Sequence, residues 1–221
     1  RYPKATYAAM ISYLDEIVGS LTQKLKEINQ FENTIIMFTS DNGVTYLDQV
    51  DSGFFNSSAM FSDDIDMVKQ SLYEGGIRVP SFVTWPRKIK EGSFSNHISS
   101  TQDFYATILD LFKIKKPNHI TGLSFLPTLL GKKQNKHEYL YWETNSRQGQ
   151  QALRMDKWKA IRRNIAAGNK EIELFDLTLD SKEKNDVSKS NLDVISQIEI
   201  IFKEARTTPT LKNFYIKGLD F

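Results

Sequence analysis

The chain has 221 residues, 29 lysines and arginines against 27 aspartates and glutamates, a formal net charge of +2 and no cysteine. The cancelling charges give no reason to expect a nucleic-acid partner. A negative mean hydropathy without a long apolar run argues against a membrane-spanning helix, so no membrane partner is expected. Disulfides, thiolate metal sites and a cysteine nucleophile are excluded within these residues.

Hydrophobic residues make up 40% of the chain, enough for a buried core. The opening Arg1-Tyr2-Pro3 has no initiator methionine and predicts processing or truncation ahead of it. A long amphipathic helix is predicted from Tyr7 to Ile28. Met10, Ile11, Leu14, Ile17, Val18, Leu21, Leu25 and Ile28 recur at helical spacing, with Asp15, Glu16, Lys24 and Lys26 on other faces. Thr34 to Ser40 is apolar on both alternations and predicts a short strand buried on both faces, the pattern of a parallel sheet covered by helices. It stops at Asp41-Asn42-Gly43. A polar segment from Val44 to Asp66 has the length of an active-site loop or a disordered one. Glu74-Gly75-Gly76 predicts a tight turn and Val79 to Trp85 a second strand. A helix from Asp103 to Phe112 follows, capped by Ser100 or Thr101.

The rest of the chain has a different rhythm. Short strands are predicted around Tyr139–Trp142, Gln151–Met155, Trp158–Arg162 and Glu171–Phe175, with Met155-Asp156-Lys157-Trp158 as a hairpin connection. A charged loop spans Asp176 to Asp186, and a helix runs from Leu192 to Ala205. The expected organisation is therefore part of a layered α/β domain over residues 1–135, followed by a small antiparallel α+β subdomain over residues 136–221.

Two segments carry candidate chemistry. Asp41 and Asn42 end a buried strand, where ligands collect in open α/β sheets. A carboxylate beside an amide oxygen makes a pair of hard ligands for Ca²⁺ or Mg²⁺, although Asp, Asn and Gly are also ordinary turn residues. Lys69, five residues before Glu74-Gly75-Gly76-Ile77-Arg78-Val79-Pro80, would be a cation for an anionic substrate if it faced the same strand end. Taken alone it reads as a surface lysine beside a turn, with Glu74 and Arg78 paired structurally. His97, His119 and His137 read as structural or surface residues. Tyr139, Tyr141, Trp142 and Trp158 read as subdomain core, with Trp142 and Glu143 the best candidates for substrate selection should the subdomain lean over the site.

Taken together, Ser40-Asp41-Asn42-Gly43 and Lys69-Gln70-Ser71-Leu72-Tyr73-Glu74-Gly75-Gly76-Ile77-Arg78-Val79-Pro80 resemble the type I, formylglycine-dependent sulfatases, the bacterial arylsulfatase family. The resemblance extends through Gly53-Phe54-Phe55-Asn56-Ser57, Ser81 to Pro86, Gln102 to Leu111, Leu140 to Glu143, Gln151 to Lys159 and Glu173 to Leu177. It implies an alkaline-phosphatase-like α/β fold and hydrolysis of a sulfate monoester on a glycan or aryl compound. Asp41 and Asn42 would be two ligands of one Ca²⁺, and Lys69 the catalytic, substrate-binding residue that holds a sulfate oxygen. Glu74, Gly75, Gly76 and Arg78 would be scaffold. The full-length protein is expected to be periplasmic or secreted.

The family's Cys/Ser-x-Pro-x-Arg motif, from which the formylglycine nucleophile is made, is absent here. So are its early Asp-Asp metal pair and its His-x-Pro segment. All three are expected upstream of Arg1, which makes the chain the C-terminal portion of a sulfatase and predicts that it is inactive alone. Its cut surfaces are expected to bind the missing N-terminal half or to self-associate. Two departures stand inside the covered part. Val44-Thr45-Tyr46 occupies the place of a frequent histidine, and Asp66 lies where an arginine is common; an acid there would oppose anion binding if it faced inward. The alternative reading is a non-catalytic or decayed sulfatase-like module that binds a partner or ligand.

Overall fold

A computed structural model describes residues 2–45, 52–58 and 60–221. They form two compact units, Arg1–Thr39 with Pro80–His137 and Ser40–Val79 with Glu138–Phe221.

The first unit opens with helix α1, Pro3–Glu27, which has a proline in its first turn, where the missing N–H costs nothing. The helix ends because Asn29 takes a left-handed φ of 55°. That conformation lets Asn29 N donate to Lys26 O at 3.0 Å and Gln30 N to Leu25 O at 2.8 Å. The predicted apolar stripe is present, but no residue of α1 is buried, and Met10, Leu14, Ile17 and Leu21 lie exposed. Strands β1 (Ile36–Thr39) and β2 (Ser81–Thr84) pair with Phe38 opposite Phe82.

This pairing is antiparallel, whereas a parallel sheet buried on both faces was expected. A run that is apolar on both alternations reports that both faces suit burial, not which way the neighbouring strand runs. Among the described residues neither face of β1 is fully covered, and Phe38 and Phe82 remain exposed.

Helix α2, Gln102–Leu111, also departs from expectation at its start, since neither the Ser100 nor the Thr101 hydroxyl caps it. Asp103 does so in reverse, accepting from Ser100 N at 2.7 Å. Its other oxygen accepts from Leu123 N at 2.7 Å, and His137 Nε2 lies 2.9 Å from both oxygens. Asp103 is fully buried, so these partners are what make its burial tolerable. His137 thus has a structural role. His97 is held below its ordinary pKa chiefly by burial, against the opposing pull of Asp103.

The second unit contains a four-stranded antiparallel meander: β3 (Leu140–Thr144), β4 (Gln150–Met155), β5 (Trp158–Arg162) and β6 (Glu173–Asp176). The predicted hairpin is there, with Met155 opposite Trp158 and Asp156 at φ 48° in the two-residue turn. The two-residue side-chain period sorts the sheet into two faces. Leu153, Ala160 and Leu174 pack against Ile198, Ile201 and Phe202 of helix α3 (Leu192–Glu204). Ala152, Ile161 and Phe175 face Leu72 and Tyr73, with Met67, Ile77 and Trp142 alongside. The aromatic residues are therefore core: Tyr141 meets Phe202 edge-on at 6.0 Å. Glu143 accepts from the Tyr141 hydroxyl at 2.5 Å and from Arg206 Nε at 2.9 Å. No helix among the described residues is long and apolar enough to cross a membrane.

Candidate active site

Directly after β1 in sequence, Ser40-Asp41-Asn42-Gly43 forms a turn in the second unit. The Ser40 hydroxyl donates to Asn42 O at 2.9 Å, and Asn42 Nδ2 donates to Asp41 Oδ2 at 2.6 Å. Asp41 is exposed and Asn42 half-buried.

Backbone contacts that only glycine permits fix where this turn lies. Gly43 N donates to Gly76 O at 2.9 Å. A Cβ on Gly43 would stand 1.9 Å from Gly75 O, so the two segments touch with no room for a side chain. The same close packing continues on the other side of the Gly-Gly pair. A Cβ on Gly75 would meet Met67 O at 2.5 Å, and one on Gly76 would meet Ser71 O at 2.3 Å. Three strings of backbone, 43–44, 67–71 and 75–76, are thereby locked together. Lys69 N closes the ring by donating to Val44 O at 3.0 Å.

The Asp41-Asn42 turn and the Lys69 backbone are thus brought into one cluster by main-chain contacts. The Lys69 side chain is exposed. Residue 70 carries strain, with Gln70 at φ 73°. Buried Gln150 of β4 holds it there, donating from Nε2 to Gln70 O at 3.1 Å and accepting from Leu72 N at 3.2 Å.

The tight turn expected at Glu74-Gly75-Gly76 is a single helical turn, Glu74–Ile77. The expected Glu74–Arg78 pair is present at 3.3 Å. The turn has a further anchor that sequence reasoning missed. Lys159 of β5 is fully buried, and its Nζ lies 3.0 Å from Glu74 Oε1 and 3.3 Å from Glu183 Oε1. Glu183 Oε2 accepts from the Glu74 backbone N at 2.6 Å. Burial alone would raise the Glu74 carboxyl, but Lys159, with Arg154 and Arg78 behind it, outweighs burial and holds it below its ordinary value. For Glu183 burial wins: the carboxyl is pushed up to about 7, Lys159 opposing and Glu74 adding to the rise. One signal for Lys159 was legible, because it shares the inward register of β5 with Ile161. Glu183 gave none, lying in a charged loop at φ 54°.

Asp66 is 79% exposed at its side chain and pairs with Arg147 at 3.1 Å. It is hydrated and partly neutralised, which removes the objection that it opposes an anion from a buried position. Of Val44-Thr45-Tyr46, Tyr46 lies outside the described residues. Gly53-Phe54-Phe55-Asn56-Ser57 falls in and after a helical turn, Ser52–Phe55, where the rings of Phe54 and Phe55 stack edge-on at 4.9 Å.

Two family models match the chain. One, described as sulfatase, covers residues 2–114, and one described as N-sulphoglucosamine sulphohydrolase, C-terminal, covers residues 66–207. The chain belongs to the sulfatase family. It is 28% identical over 91% of its length to an N-acetylgalactosamine-6-O-sulfatase of Bacteroides thetaiotaomicron, and 30% identical over 82% to an N-acetylglucosamine-6-O-sulfatase of the same organism. It is 30% identical over 65% of its length to the N-acetylgalactosamine-6-sulfatase of Mus musculus. It spans 42%, 31% and 27% of those three proteins, less than half of each.

Among solved structures, Ps i-CgsB in complex with k-i-k-neocarrahexaose superposes with a TM-score of 0.76 at 29% identity, over 93% of this chain and 43% of that one. The chain thus has the fold of part of an alkaline-phosphatase-like α/β sulfatase.

Within that family the donor set can be weighed for a metal. Asp41 and Asn42 offer adjacent hard oxygens, as a Ca²⁺ site requires. Among the described residues no cluster of three or more His, Cys, Asp or Glu side chains stands ready to hold a metal. Asp41 and Asn42 thus supply two oxygen donors of a type that suits a hard cation, fewer than a Ca²⁺ ion takes.

Proposed function

We propose that this chain forms part of the active site of a sulfatase that hydrolyses a sulfate monoester on a glycan. Asp41 and Asn42 would be two ligands of a Ca²⁺ ion, and Lys69 would hold a sulfate oxygen. The observation that carries the reading is the glycine lock, in which Gly43 on Gly76 and Lys69 on Val44 gather the three residues into one cluster. Sulfate-ester cleavage builds negative charge on the peripheral and leaving oxygens. A bound divalent cation supplies Lewis-acid stabilisation of that charge.

The chain's own part is preorganisation. Lys69 meets the anion from a backbone already fixed by its bond to Val44 O, so the segment that carries it need not rearrange as charge develops. The nucleophile, a formylglycine in this reading, comes from a Cys/Ser-x-Pro-x-Arg segment elsewhere in the protein. In this reading residues 1–135 belong to the catalytic α/β domain and residues 136–221 to a C-terminal subdomain, with segment 40–79 in one compact unit with Glu138–Phe221. The relatives named for the 6-sulfates of N-acetylgalactosamine and N-acetylglucosamine point to a sulfated amino sugar as the substrate class. Such polymers are met outside the cytoplasm, so the protein acts in the periplasm or as a secreted enzyme.

The test is Ca²⁺-dependent sulfate release from 6-sulfated N-acetylhexosamines by the full-length protein. Lys69→Ala should lower kcat/KM by about 10²–10³. Wild-type turnover by Lys69→Ala, or no sulfate release from any sulfated amino sugar by the intact protein, refutes the reading.

A further inference from the structure

A lysine and two glutamates buried together are expensive. Each ion loses its water, and a pair in this setting is often no more stabilising than apolar side chains of the same size. In some proteins such a group is retained because it fixes geometry. Here the geometry it fixes is that of the glycine lock. Lys159 Nζ reaches Glu74 Oε1 at 3.0 Å, and Glu183 Oε2 takes the Glu74 backbone N–H at 2.6 Å, so both the side chain and the main chain of Glu74 are held. Glu74 begins the turn whose next two residues are Gly75 and Gly76. Gly76 O accepts from Gly43 N, one residue from Asn42, and both glycines pack against carbonyls of the segment that bears Lys69. The anchor residues lie far away in sequence, on β5 and in the loop after β6, and neither is in hydrogen-bond contact with Asp41, Asn42 or Lys69.

We propose that Lys159 and Glu183 are positioning residues of the sulfatase site, acting through Glu74 to hold the Asp41-Asn42 turn and the Lys69 segment in register. The proposal rests on the reading of that site given above. It separates two roles in one motif. Gly75 and Gly76 allow close approach, while the buried charges decide where the approach occurs. It also assigns the C-terminal sheet a part in the chemistry, because the lysine that sets the turn is a strand residue of that sheet.

The experiment uses the full-length protein and four variants: Lys159→Met, Glu183→Ala, Glu183→Gln and Asp41→Asn. Ca²⁺ affinity is measured by titration calorimetry. kcat and KM for a 6-sulfated N-acetylhexosamine are measured at stepped Ca²⁺, with circular dichroism to select folded protein.

Lys159→Met and Glu183→Ala are expected to weaken Ca²⁺ binding tenfold or more and to lower kcat, with part of the loss recovered at high Ca²⁺. Glu183→Gln keeps an acceptor for the Glu74 N–H and should restore affinity to within about threefold of wild type. A merely structural role would lower the melting temperature and leave Ca²⁺ affinity and its coupling to kcat unchanged. Folded Lys159→Met and Glu183→Ala that bind Ca²⁺ and turn over like wild type, while Asp41→Asn loses both, overturn the proposal alone. Asp41→Asn with wild-type Ca²⁺ affinity overturns the reading of the site and the proposal with it. Should Lys159→Met fail to fold, the contrast between Glu183→Ala and Glu183→Gln decides the matter.

Discussion

Replacing Glu183 by glutamine should change how stability depends on pH, and the structure gives the size and the sign. Burial raises the Glu183 carboxyl from 4.5 to about 7. A carboxyl whose folded value lies above its unfolded value binds its proton more tightly in the folded state, so stability falls as pH rises between the two values. A displacement of that size corresponds to roughly 3 kcal/mol in all, of which about 2–3 kcal/mol falls between pH 5 and pH 8.

Glutamine carries no titrating proton and should be free of this loss. His97, held low by burial, works in the opposite sense, gaining stability as pH rises toward neutrality. Its contribution is common to both proteins and cancels in their difference. Glu74, Asp63, Asp176, Asp186 and Asp220 are held below the ordinary carboxylate range, and their contributions are lost only as pH falls through acid values. Urea unfolding of wild type and Glu183→Gln at half-unit steps from pH 5 to pH 8 reads the difference directly. The variant should gain about 2–3 kcal/mol relative to wild type across that range. A flat difference would mean that Glu183 stays ionised throughout, stabilised by Lys159 more than burial costs it, and the argument for its raised value would fail.

Other substitutions test the packing on which the site depends. Gly43→Ala places a Cβ 1.9 Å from a backbone carbonyl that cannot swing away, and should cost about 3 kcal/mol or more in urea unfolding, with weaker Ca²⁺ binding. Near-wild-type stability would show that the strings of the lock can separate cheaply. Arg206→Ala strips the partner from Asp220, whose side chain is fully buried, and from Glu143. The expected loss is about 3 kcal/mol, with hydrogen exchange rising first around Ile216, whose N–H also bonds Asp220. The isolated 221-residue chain contains no Cys/Ser-x-Pro-x-Arg motif and should not turn over p-nitrophenyl sulfate. Steady release of p-nitrophenol by the pure chain would place a nucleophile within these residues.

The parts of this molecule that were legible in the sequence are those whose pattern is local. The helix periods of α1, α2 and α3 and the hairpin at Asp156-Lys157 each follow from residues within a few positions of one another. The direction of β1 was not legible, because an apolar run states how much surface it can bury and not which neighbour will bury it. The candidate site divides the same way. Asp41-Asn42-Gly43 and Glu74-Gly75-Gly76 stand out as motifs, yet nothing in either says that Gly43 needs its missing side chain because of Gly75. That requirement arises only when two segments 32 residues apart are pressed together, and it turns two ordinary turns into one constrained cluster. Lys159 and Glu183 are a step further from local pattern. A lysine in a strand of alternating polarity is usually solvated, and a glutamate among lysines in a loop usually pairs with one of them. Here the lysine lies on the inward face and the glutamate turns under Glu74, so their meaning depends on contacts 85 and 109 residues apart in sequence. Buried charge held at such separation has no helical or strand period to betray it. It becomes readable only from the free-energy cost of its burial, and that cost is what points back to the turn it holds.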